Sequence, residues 1–116
     1  MEATAAVAAL GALAQGHRLA LFRLLVRAGG DGLAAGAIAD SLGIPNSSLS
    51  FHLAQLSRAG LIRQRRQHRS IIYSADYGAM NGLIGYLTEN CCAGAEFGPD
   101  AARGAQAAQA REEEIR

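Results

Sequence analysis

Two stretches of this sequence carry residue types that could do chemistry. One is Cys91-Cys92, the only two cysteines in 116 residues. Thiolates are nucleophiles, redox centres and ligands for soft metals. In a reducing compartment an adjacent pair is a reactive or ligating candidate before it is a disulfide. The other stretch holds Arg58, Arg63, Arg65, Arg66 and Arg69. No acidic residue falls between Asp40 and Asp76, so these arginines form a field of one sign on a chain of formal net charge +1. A local basic footprint on a balanced protein points to phosphate. Arginine suits the task, because its planar fork grips a phosphate bidentately or enters a minor groove. The bland alternatives are a solvated charged hairpin and two cysteines packing as small hydrophobes at a helix end.

The elements that must position these groups can be read from spacing. Leu49, Leu53 and Leu56 recur at four and three residues, a stripe that a helix over about 46–59 turns to a core. Its opposite face carries Ser47, Ser48, Phe51, Gln55 and Arg58, with Asn46 and Ser50 beside them. These are mostly short or polar side chains that suit the floor of a DNA groove. Phe51 is placed to touch a thymine methyl or to remain a surface aromatic. His52 lies near the buried stripe, so a structural histidine and a base contact both stay open. Gly60 stops this helix. Leu61-Ile62 and Ile71-Ile72-Tyr73 then flank RQRRQHRS as two apolar arms around a basic tip that includes His68.

Upstream, residues 3–15 carry Val7, Leu10 and Leu13 at helical spacing, and 17–28 carry Leu19, Phe22, Leu25 and Val26. A short helix over 33–42 has Ala34, Ile38 and Leu42 on one side and stops at Gly43. Pro45 fixes φ where the next helix begins, and Asn46, Ser47 and Ser48 are suited to cap it. Residues 33–42, the turn at 43–45 and the helix at 46–59 therefore compose a helix-turn-helix with the second helix as reader. After the hairpin, Ser74 or Asp76 caps a last helix through Met80, Leu83, Ile84 and Leu87. Gly78, Gly82 and Gly85 interrupt it, each costing about 1 kcal/mol relative to alanine, and they favour close packing with a partner helix. The fold class is mostly α with a small β-hairpin, a winged helix-turn-helix in the order α-α-α-α-β-β-α. Residues 1–92 form one DNA-binding and dimerisation domain, and 93–116 a flexible or frayed tail.

The totals narrow the functional class. A single small domain is expected, with association as a supplement to a modest core. No stretch reaches the roughly eighteen apolar residues of a membrane span, and Met1-Glu2-Ala3 lacks the basic start of a signal peptide. A cytoplasmic protein with reduced thiols is expected. A thiol enzyme using Cys91 is disfavoured, since no acid-base histidine lies near it in sequence and the basic hairpin would have no task. A winged helix used only to bind proteins is the other rival, and it predicts binding insensitive to salt.

Leu53-Ala54-Gln55-Leu56-Ser57-Arg58-Ala59-Gly60-Leu61-Ile62, following Ser48-Leu49-Ser50-Phe51-His52, resembles the recognition helix and first wing strand of the ArsR/SmtB winged-helix repressors. Gly16-His17-Arg18-Leu19-Ala20-Leu21-Phe22 is similar to the start of their second helix, and the likeness covers roughly residues 5–92. It implies a homodimer formed by the first and last helices, bound to double-stranded operator DNA until an inducer binds. Two sensor sites of that family have no counterpart here: the helix over 33–42 carries no thiol, and the only histidines are His17, His52 and His68. Thr88-Glu89-Asn90-Cys91-Cys92 is similar to the end of the last helix in an arsenic-responsive subgroup. There, adjacent cysteines and a third one further on bind trivalent arsenic; the third is missing from this chain. The resemblance thus implies trivalent arsenic or antimony as inducer at Cys91 and Cys92. The remaining position would be filled by water, a small thiol, a cysteine of a second subunit or a methyl group on arsenic. Thiol-redox sensing and a response to another metal are the alternatives. Adjacent residues of a regular helix point about 100° apart, so holding one atom requires this helix end to unwind.

Overall fold

Many of the positions that sequence spacing assigns to a core are buried by the fold, and the described residues assemble five helices and a three-stranded sheet. The computed structural model describes residues 1–94; residues 95–116, where most of the frayed tail is expected, lie outside the described residues. The elements are α1 (Ala3–Leu13), α2 (Gly16–Ala28), β1 (Leu33–Ala34), α3 (Ala35–Leu42), α4 (Asn46–Arg58), β2 (Ile62–Gln67), β3 (Ser70–Ala75) and α5 (Tyr77–Thr88), followed by a 3-10 turn over Cys91–Gly94. Leu21, Leu25, Ile38, Leu49, Leu56 and Leu61 are fully buried and join α2, α3, α4 and the wing into one core. Burying each such side chain contributes about 1.5–3 kcal/mol.

Three helices leave part of their expected apolar stripe exposed. On α1 it is Ala6 and Ala9 that are buried, while Val7 and Leu10 face outward. Alanine has no bulk to hold the backbones apart, so α1 closes tightly on its neighbours and leaves the larger side chains free. On α2 the buried set is Leu21, Phe22 and Leu25, and Leu19, expected in the stripe, is exposed. On α5 only Leu83 is buried, and Ile84 and Leu87 are exposed. No single helix among the described residues is long and apolar enough to cross a membrane.

The expected order α-α-α-α-β-β-α is met with one addition. Residues 33 and 34 are not the start of a helix but a short strand, β1, antiparallel to β3 with Leu33 opposite Tyr73 and Ala34 opposite Ile72. The sheet order is β1-β3-β2. Gly32 makes the approach possible: its φ is +69°, and a Cβ there would overlap the Tyr73 carbonyl oxygen. Gly32→Ala adds left-handed strain to that clash. It is expected to cost about 2–4 kcal/mol, read as a lowered midpoint in urea unfolding with the slope unchanged.

The wing is also longer than its apolar arms imply. Ile62 pairs with Ala75 and the ladder continues to Gln67 opposite Ser70. Arg63, Arg65 and Arg66 therefore lie within strand β2, and the tip is reduced to His68 and Arg69, with His68 at φ +61°.

Candidate nucleic-acid interface and the thiol pair

Helix α4 begins without a side-chain cap. Gly43, in the left-handed conformation, donates its amide to the Ala39 carbonyl and closes α3, and Pro45 occupies the N-cap of α4 with no side-chain hydrogen bond to the first turn. The expected capping by Asn46, Ser47 and Ser48 does not occur, because these residues are already inside the helix or at its first position. Asn46 and Ser47 are exposed and Ser48 half-buried. The first-turn amides and the helix dipole thus face outward beside short polar side chains, an arrangement suited to a phosphate.

Further along α4, Leu49, Leu53 and Leu56 are buried as spacing predicts, while Ser50 and Phe51 are exposed, Phe51 by 56%. Ser50, Leu53, Ala54, Ser57, Arg58, Gln64 and Tyr73 line an open groove of about 490 Å³ between α4 and the wing. Gln64 and Tyr73, directly paired across β2 and β3, form its wing side. Neither is marked by charge or motif; strand pairing alone brings them there.

Strand alternation divides the arginines. Ile62, Gln64 and Arg66 share one face of β2, the face that packs toward α4, and Arg63, Arg65 and Gln67 share the other. On that second face Arg63 Nε lies 3.3 Å from Asp76 Oδ2. Arg65 donates to the Asp31 carbonyl and to Gln67 Oε1, both at 2.8 Å. Both contacts lie within the protein, with the Arg63 side chain still 71% exposed, and they brace the wing against α5 and the α2–β1 loop. Asp76 caps α5 by accepting from the Ala79 amide at 3.0 Å. That hydrogen bond, with further help from Arg63, holds its carboxyl below the usual carboxylate range. Arg66, His68 and Arg69 are exposed on the wing, and Arg58 is exposed at the end of α4 with one bond to Gln55 Oε1 at 3.4 Å.

His52 departs from the expected contact set. It is only 8% exposed and turned to the protein, with Arg18 Nη1 3.4 Å from its Nδ1 and the His17 ring centroid at 5.5 Å. Of the two readings left open by helical angle, the structural one holds. Burial, then the Arg18 guanidinium and His17, lowers its pKa. Arg18, absent from the expected set, is the residue that sequence reasoning missed.

At the other end of the chain, α5 stops at Thr88, whose hydroxyl donates to the Ile84 carbonyl at 2.9 Å. Asn90, Cys92 and Ala93 all adopt positive φ, at 56°, 63° and 50°. The thiol pair therefore sits not on a regular helix but on an unwound turn, where the two sulfurs meet and are joined as a vicinal disulfide. Cys91 is half-buried and Cys92 exposed. Among the described residues, no group of three or more His, Cys, Asp or Glu comes together. Two sulfurs converging on one point fit a soft, thiophilic atom, with any further ligand coming from elsewhere.

Comparison with known proteins gives a consistent result. Residues 13–65 match the family model described as a helix-turn-helix domain. The chain is 33% identical over 88 residues to the nodulation protein NolR of Rhizobium meliloti, covering 76% of this chain and 70% of that protein. It is 33% identical over 92 residues to the HTH-type transcriptional regulator YgaV of Escherichia coli K12, covering 79% and 93%. Among solved structures, an ArsR-like transcriptional regulator from Rhodococcus sp. RHA1 superposes with a TM-score of 0.68 over 95% of this chain and 92% of that one. At 20% identity it speaks for the fold. A homodimeric winged helix-turn-helix domain from Mycobacterium bovis, described as a possible ArsR-family regulator, superposes with a TM-score of 0.61 at 26% identity, covering 75% and 81%.

Proposed function

Since the chain belongs to the winged helix-turn-helix regulator family of NolR and YgaV, we propose that it is a homodimeric repressor released from its operator by trivalent arsenic bound at Cys91 and Cys92. Transcriptional regulation is the activity by which its relative YgaV is named, and it supports DNA-binding regulation rather than catalysis for this chain. The observation that carries the finer reading is the unwound turn at the exit of α5, which brings two otherwise solitary thiols together.

The uncapped start of α4 and Ser47, Ser48 and Ser50 would face base edges and phosphate in the major groove, with Phe51 and Gln55 beside them. Arg58, Arg66, His68 and Arg69 would grip backbone. Double-stranded DNA and a second copy of the chain are thus the partners. Six arginine–phosphate contacts per dimer, three from each protomer, give a log-log salt slope of about −5. Arg66→Ala with Arg69→Ala is expected to flatten that slope by about 3–4; an unchanged slope would remove the wing from the interface.

Arsenic(III) and antimony(III) prefer sulfur to oxygen or nitrogen. Two thiols displace two hydroxyls from arsenite as water, leaving one position for hydroxide, a small thiol or a cysteine of the partner protomer. A monomethyl arsenical already carries its third substituent, so two protein thiols satisfy it. The second reading, a thiol-redox switch, is favoured by the contact between the sulfurs: an oxidant would take two electrons and two protons from the pair.

A fluorescence-polarisation titration of the reduced protein on its own upstream DNA separates these readings when repeated with arsenite, a trivalent methyl arsenical, zinc and diamide. Release by the arsenicals alone is expected. Release by diamide alone selects the redox switch, release by zinc alone another metal response, and no binding to any duplex overturns the DNA reading.

A further inference from the structure

Arg18 has no part in the interface described above, yet its side chain joins three helices. It stands in the first turn of α2, where its own amide is capped by Gln15 Oε1 at 2.9 Å. Its guanidinium then spans two other elements. Nε donates to the carbonyl oxygen of Ala12, near the end of α1, at 2.6 Å, and Nη1 lies 3.4 Å from Nδ1 of His52 on α4. A guanidinium has donors only, so Nδ1 must be the unprotonated nitrogen and the imidazole must be neutral for this contact to be a hydrogen bond.

We propose that Arg18 is a positioning residue for the recognition helix, tying α4 through a neutral His52 to the end of α1 and so fixing where each reader stands relative to the helices that pair the protomers. The proposal rests on the reading of α4 as the element that enters DNA. Arginine is required because one planar fork reaches two acceptors on different elements; a lysine ammonium, a single point on a flexible stem, would not hold both.

The device has a sign. On protonation Nδ1 turns from acceptor to donor and the ring gains a positive charge against Arg18. The other ionisable group facing the ring is His17, also on α2, so both α2 groups oppose the charge. From α1 only the uncharged Ala8, Gly11 and Ala12 border the adjoining groove, and from α4 Gln55 and the exposed Arg58. The single ionisable side chain of α3, Asp40, and the arginines of β2 are exposed to solvent. Among the described residues, no carboxylate compensates. Because the folded pKa lies below the ordinary histidine value, the contact is fully present above about pH 6.5 and is lost as pH falls through the folded value.

The test is operator affinity from pH 7.5 to 5.5, measured in a His68→Gln background so that the wing imidazole adds no charge, with circular dichroism confirming the fold at each pH. Affinity is expected to fall by several-fold on acidification. A histidine directly against phosphate would give the opposite trend, so a rise overturns the proposal. His52→Gln offers Arg18 an acceptor that does not titrate and is expected to bind with a flat pH profile. Arg18→Lys, which keeps the charge, is expected to bind about tenfold more weakly at pH 7.5 with the salt slope unchanged. If the His68→Gln protein binds DNA but Arg18→Lys binds as well as it does, or His52→Gln keeps its pH dependence, the latch is wrong while the DNA reading stands. If the unsubstituted protein binds no duplex at any pH, both fall together.

Discussion

Leu87→Glu combined with Ile84→Glu is expected to turn the protein from dimer to monomer in sedimentation velocity and to weaken operator binding by more than a hundredfold. These side chains are 57% and 54% exposed on α5, and Val7 and Leu10 are 68% and 42% exposed on α1, the helix that packs against it. A domain that stood alone in water would have no reason of its own to place four aliphatic residues on one pair of adjacent helices. Covering them contributes about 1.5–3 kcal/mol per fully buried side chain, and two-fold symmetry doubles the set. Glutamates at the seam would have to be buried unpaired, a cost of several kcal/mol per charge. A monomer would engage one half-site, and its salt slope would fall to about half that of the dimer. The core residue Leu83 is untouched, so the fold should survive. A double variant that stayed dimeric at micromolar concentration would remove α5 from the interface.

The same residues show what sequence can and cannot disclose. Val7, Leu10, Ile84 and Leu87 are visible as helical stripes, but periodicity finds a covered face without saying what covers it. Here part of each stripe stays exposed on a single copy, while Ala6 and Ala9, too small to register as a stripe, do the intramolecular packing. The reader was legible because Leu49, Leu53 and Leu56 fix its rotation within a few tens of degrees. That rotation also left His52 near the boundary, where only the packing of α2 against α4 decides its surroundings. The wing was legible as two arms and a basic run, but the parity separating Arg66 from Arg63 and Arg65 depends on register, which the ladder to β3 sets. Arg18 could not be found by any local rule: its partner on α4 lies 34 residues away, and arginine on a helix surface is ordinarily a solvated charge.

Substituting either thiol, as Cys91→Ser or Cys92→Ser, is expected to leave uninduced operator affinity within about twofold and to abolish release by a trivalent arsenical. The pair lies beyond Thr88, at the opposite end of α5 from the wing, so its sulfurs touch no group assigned to DNA. What they can change is the path of the chain where it leaves α5. A ligand shifts an equilibrium only by its differential affinity for the two states. If saturating arsenical weakens operator binding by about a hundredfold, the DNA-bound protein must bind the arsenical about a hundredfold more weakly, a coupling of roughly 2.7 kcal/mol. The thiol site and the reader are then linked through packed elements: α5 on α1, and α1 on α2 and α4. Arsenical titration of the free and operator-bound protein, followed by loss of free thiol, measures that reciprocal term directly. Full release of Cys91→Ser by arsenite would place the inducer elsewhere. Equal arsenical affinity with and without DNA would show that the thiols bind the ligand but do not regulate.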